Sequence, residues 1–243
     1  MKSKFSVFGL RGTIFLSYVP FDWRLVSSLL DELKDFIPSV NTTGVPLMGN
    51  GFVIQPGEWS LVSPDGQKSL FVTGQKIDYT ENYRNVEAKL YSMDVIQEFS
   101  GVCTRVFAKI MDFANIKSTR IAIAPTLRYN SSLHEFTQYV QNVYAKNTFK
   151  QANVDNVEFS QVYRVEEEIG SMTPVINYLS KFYVVNDVIN LGAMNEIREK
   201  CAVDFDINTR FDPEYFFDKE CVNAFFDKAD KMVDSYFNFY FNE

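Results

Sequence analysis

The chain has 243 residues, with 24 Lys and Arg against 31 Asp and Glu; its formal charge of −7 repels polyphosphate and disfavours a general nucleic-acid binder. Apolar residues make up 46% and aromatics 16%, including 23 Phe and 13 Tyr, which is enough to offset ordering entropy and excludes a disordered chain. Three cysteines (Cys103, Cys201 and Cys221) with no CxxC pair give no disulfide framework, and no run of apolar residues is long enough for a membrane span.

The first residues alternate and meet Arg11 early, unlike the continuous apolar core of a signal peptide, so the reading expects a cytoplasmic protein. Residues 5–18 predict a strand that stops at Pro20. A short helix follows, capped by Asp22, with Leu25, Val26, Leu29, Leu30 and Leu33 on one face. Residues 37–51 hold Pro38, Gly44, Pro46, Gly49 and Gly51 without periodicity and predict a long irregular connection.

Strands are expected at 52–56, 59–63, 68–73 and 76–80, with a tight turn at Ser63-Pro64-Asp65-Gly66-Gln67. A long helix from near Asn85 presents Val95, Ile96, Phe99, Val102, Cys103, Val106, Ile110 and Phe113 as one stripe. A strand over 120–129 restarts the plan, and Ser132 and Glu135 form a capping box opening a helix to about 146. Strands then fit 157–168, 174–184, 185–192 and 198–208. The last helix is expected from Pro213, capped by Asp212, with a stripe from Val222 to Tyr240.

Arg11 to Tyr18 answers Arg120 to Ile123, and Lys76 to Thr80 answers Asp204 to Asn208. The order of elements therefore predicts an α+β fold of two tandem β-α-β4-α units, each with a mostly antiparallel sheet and one long amphipathic helix packed on it. The division falls at 1–117 and 118–243, with one intimately packed domain as the alternative.

The strand from Arg120 to Asn130 after a long amphipathic helix, and the ending Val203-Asp204-Phe205-Asp206-Ile207 before a Phe-rich helix, resemble a sporadically distributed family of bacterial proteins of similar length. The function of that family is not established. The resemblance implies a bacterial or phage-associated source, near accessory or antiviral defence genes, and carries over no catalytic residue.

The sole histidine, His134, lies in a predicted first helical turn with no Gly-x-Ser-x-Gly elbow elsewhere, which reads as a surface residue rather than a catalytic one. Phosphate cradles are missing from the sequence, and no cofactor is called for. Asp204 and Asp206 share one strand face and are the weak candidates for a metal; a wet strand face opposite Val203, Phe205 and Ile207 explains them as simply. Glu166-Glu167-Glu168 reads as a charged edge that blocks aggregation.

Arg11, Arg120 and Arg128 lie on the first strands of the two halves, where the guanidinium fork suits a carboxylate or phosphate; pairing to a local Asp or Glu is the plainer reading. Tyr236, Phe237, Phe239, Tyr240 and Phe241 surround the end of the last helix, so that end is either enclosed by the chain or meets another one. These features predict a non-catalytic binding or assembly component acting through a protein partner or self-association. A pocket protein for a small molecule is the alternative, and a metal-dependent enzyme the third reading.

Overall fold

The computed structural model describes residues 2–16, 19, 22–34, 36–46, 52–83, 89–130, 132–133, 135–136, 138, 158–191 and 194–241. The side chains of 41–46, 52–57, 159, 186–191 and 194–198 are outside that description. The strands are β1 (Phe5–Phe15), β2 (Ile37–Pro46), β3 (Phe52–Val62), β4 (Lys68–Val72), β5 (Lys76–Asn82), β6 (Lys89–Leu90), β7 (Arg120–Tyr129), β8 (Phe159–Glu166), β9 (Val175–Leu191) and β10 (Met194–Thr209). They are accompanied by the helices α1 (Trp23–Leu30), α2 (Met93–Ala114) and α3 (Lys219–Phe241).

All ten strands form one sheet in the order β2-β3-β4-β5-β1-β7-β10-β9-β8, with β6 joined to β1, and every pairing is antiparallel. This overturns the expectation of two tandem β-α-β4-α units. β1 and β7, expected to open separate sheets, pair from Phe5↔Tyr129 to Phe15↔Arg120, so the sheet runs unbroken from one to the other. Among the described residues three strands, not four, follow β7. The predicted break at 184/185 falls inside β9, where consecutive Val184 and Val185 favour extension and β10 pairs from Ile176↔Thr209 to Leu191↔Met194.

The two long helices pack against each other and on one face of the sheet. Gly12 shows why they come so close to β1: a Cβ there would stand 2.5 Å from Cys103 Sγ on α2 and 3.2 Å from Phe226 Cε1 on α3. Tyr79 stacks on Phe99 of α2 at 5.4 Å, and Phe5 meets Phe237 of α3 edge-on at 5.2 Å. Alternation on the strands sends Leu10, Ile14, Ile77, Ile121, Ile123, Val203 and Phe205 to this side, all buried.

Three further expectations are corrected by tertiary contacts. Residues 37–46 are strand β2, because an edge strand tolerates the prolines and glycine that suggested a loop; 47–51 lie outside the described residues. α2 begins at Met93 with Ser92 as its cap, since Tyr91 is held back by its N–H to the Phe5 carbonyl at 3.0 Å and by stacking on Phe237. α3 begins at Lys219, because Phe217 is buried and exchanges two backbone bonds with Ser118 (2.8 and 2.7 Å); Asp218, not Asp212, receives the Cys221 N–H. Asp212 instead holds the Glu214 N–H at 2.9 Å in the turn before it.

The strands expected separately at 52–56 and 59–63 are the single strand β3, and Phe113, expected on the apolar stripe of the long helix, is exposed, whereas the first helix cap and the 63–67 turn form as expected. Asp22 caps α1 through the Arg24 N–H at 2.7 Å, and Asp65 and Ser63 close the turn around Gly66, whose φ of 68° suits glycine.

Candidate functional site

Every second residue of the central strands points away from the helices, and there the composition changes. Arg11, Thr13 and Phe15 of β1 stand on this second face beside Lys76, Asp78 and Thr80 of β5 and Arg120, Ala122, Ala124 and Thr126 of β7. Asp204, Asp206 and Asn208 of β10 and Leu179 and Lys181 of β9 continue it. No described helix packs on this face.

Two adjoining depressions mark its middle. One, of about 560 Å³, lies over Thr80, Asn82, Thr126, Leu179, Lys181 and Asp204. The other, of about 650 Å³, lies over Thr13, Glu58, Lys76, Asp78, Arg120 and Ala122. Arg11 and Asp206 border both. Ala122 and Ala124 keep the floor low, because larger side chains there would fill the trough.

The floor carboxylates hold donors of their own. Asp78 accepts from Thr13 Oγ1 at 2.6 Å and pairs with Lys76 Nζ at 2.6 Å. Asp204 accepts from Thr126 Oγ1 at 2.7 Å, and Asp206 from Asn208 Nδ2 at 2.8 Å, while Asn208 accepts from Asn177. Asp204 is thus tied across strands to β7 and Asp206 along its own strand to Asn208. Among the described residues no three His, Cys, Asp or Glu side chains converge as a metal site, so nothing adds to the weak case for Asp204 and Asp206.

The three arginines share the face but not a site. Arg128 lies over the Phe8 ring at 3.3 Å from its centroid, at the far end of β7. Phe8 is the extra residue of a β-bulge between Val7 and Gly9. Arg120 lies over Phe15 at 5.1 Å and reaches the depression; its Nε is buried with no hydrogen-bond partner. Arg11 is exposed between the two stacks. The expected pairing of Arg11 and Arg120 to a local Asp or Glu is not found among the described residues.

The aromatic run at the end of α3 is enclosed by the chain instead of facing another one. Tyr236, Phe237, Tyr240 and Phe241 are buried, and only Phe239 is exposed, at 58%. β8, β9 and β10 wrap the helix: Tyr236 Oη donates to the Tyr178 carbonyl at 2.9 Å, and Tyr240 Oη meets Ser180 Oγ at 2.7 Å and Gln161 Oε1 at 2.9 Å. Polar atoms on β8 and β9 thus satisfy the tyrosine hydroxyls.

Nucleophile chemistry has little to draw on among the described residues. Burial pushes the Cys201 thiol up to about 12 and Cys103 well above its usual value; Cys221 is raised by burial and by its contact with Asp218. Burial likewise raises Tyr79 and Tyr83, and both hydroxyls donate to the buried Glu81, at 2.8 and 2.5 Å, on the helix side. His134 lies outside the described residues. Glu167, from the acidic run, accepts from the Tyr178 hydroxyl rather than standing free.

No helix of the described residues is long and apolar enough to cross a membrane. No protein-family model and no curated protein matches the chain.

Proposed function

We propose that the protein acts by binding rather than by catalysis, and that the open sheet face receives a protein partner. The observation that carries this reading is the contrast of burial: the aromatic helix end is occupied internally, whereas the open face displays Arg11 and a trough floored by small residues. A polar, shallow surface several strands wide suits a macromolecule better than the enclosed apolar cavity that a small ligand prefers. The charge on that surface favours an acidic segment, because the floor aspartates already hold hydrogen bonds from the chain, whereas neither the Arg11 nor the Arg120 guanidinium has a hydrogen bond or ion pair among the described residues.

A small molecule is the second reading. The depressions of about 560 and 650 Å³ are large enough for one.

Two substitutions separate the surfaces. Ala124→Glu places a bulky negative charge in the trough, and Phe239→Glu alters the exposed aromatic on α3. Affinity capture with the full chain should recover a partner that Ala124→Glu loses and Phe239→Glu keeps. Loss with Phe239→Glu alone would move the interface to α3, and equal recovery by all three proteins would refute the reading.

A further inference from the structure

Arg11 stands opposite Thr80 on β5 and Ala124 on β7, near the middle of the open face. Arg120 lies four positions along β7 from Ala124, roughly 13 Å in strand length. Both border the same depression, and neither guanidinium has a hydrogen bond or ion pair to another described residue. Arginine does not discharge in proteins, so Arg120 cannot relieve the burial of its Nε by losing a proton, and Arg11 stays charged at its exposed position. The Nε of Arg120 is already withdrawn from water without an acceptor, a cost that an incoming acceptor would offset.

We propose that this depression is a carboxylate-binding site, in which Arg11 and Arg120 receive carboxylate oxygens of the partner. The inference rests on the binding reading above and names the group that is recognised. Glu58, Asp78 and Asp206 line the same depression. Their field opposes a phosphate group, with its charge of about −1.5 to −2, more strongly than a singly charged carboxylate. The planar fork of arginine also matches two carboxylate oxygens at once.

The test uses the full chain and sodium acetate as the probe, with the arginine Nε–H signals followed by NMR at constant ionic strength. The Arg11 and Arg120 signals should shift saturably with acetate, and inorganic phosphate should bind more weakly. Arg11→Gln, at an exposed position where folding is safe, should weaken acetate binding by about tenfold. Arg120→Lys, which keeps the charge and removes the fork, should weaken it as well.

Lys181→Gln removes one positive charge from the same face outside this depression and should change affinity by less than about twofold. Absence of a saturable shift, tighter binding of phosphate, or an equal loss in Lys181→Gln would each overturn the proposal. If acetate fails while Ala124→Glu still abolishes partner capture, the carboxylate assignment falls and the binding reading stands. If acetate binds as described while capture ignores Ala124→Glu, the carboxylate site stands and the protein-partner reading falls.

Discussion

The two faces of one sheet are built to opposite rules. Toward the helices, β1, β7 and β10 present Phe5, Ile14, Ile123 and Phe205, all buried, and Phe5 meets Phe237 and Phe205 meets Tyr236 on α3 at ring-centroid distances of 5.2 and 5.0 Å. Toward the other side the same strands present Arg11, Thr13, Ala124, Thr126 and Asp204, tied by single hydrogen bonds or by none. Side chains of period two on a strand allow this separation residue by residue. The face that carries the stability has little left to bind with, and the face that is free to bind contributes little to stability.

That contrast predicts a graded series in urea unfolding. Phe237→Ala, which removes a ring packed against Phe5, Tyr91 and Phe241, should cost about 3–5 kcal/mol. Gly12→Ala should cost about 1–3 kcal/mol, because the new methyl collides with Cys103 and Phe226, and a buried thiol on α2 and a buried ring on α3 must move to admit it. A cost below about 0.5 kcal/mol for either would mean that the helix layer is loosely packed and the contrast overstated.

Thr13→Val tests the open face at its best-tied point. The hydroxyl's bond to Asp78 is lost, yet Lys76 still neutralises the carboxylate, so the cost should be about 1 kcal/mol. Unfolding free energies of wild type and variant, taken at one pH, read this directly. A cost as large as that of Phe237→Ala would make the Thr13–Asp78 pair a second centre of stability.

Much of the local structure was legible in the sequence, because turns, caps and helical stripes depend on near neighbours. Asp22, the turn at 63–67 and the stripe of α2 follow from chemistry within a few residues of each position. The pairing of β1 with β7 joins residues more than a hundred positions apart, and no local pattern distinguishes one joined sheet from two separate ones. β2 was hidden for a related reason: its prolines read as breakers until the strand is known to lie at an edge.

The site was legible in the same uneven way. Strand periodicity places Arg11 and Arg120 on one face once their strands are paired. The separation of Arg128 was not visible, since it depends on the bulge that turns Phe8 toward it. The α3 aromatics look alike in sequence whether β8–β10 or another chain encloses them, so their burial could be settled only by the tertiary structure.

Arg11→Gln carries the smallest expected effect on stability and the sharpest test of the comparison. Arg11 is exposed, and no described carboxylate pairs with it, so its loss should change the unfolding free energy by less than about 0.5 kcal/mol. The same substitution should abolish most of the acetate response. A residue whose replacement leaves the fold intact and removes binding is retained for recognition. If Arg11→Gln instead cost more than about 1 kcal/mol, its guanidinium would be holding the sheet together, and the open face would be a second structural surface.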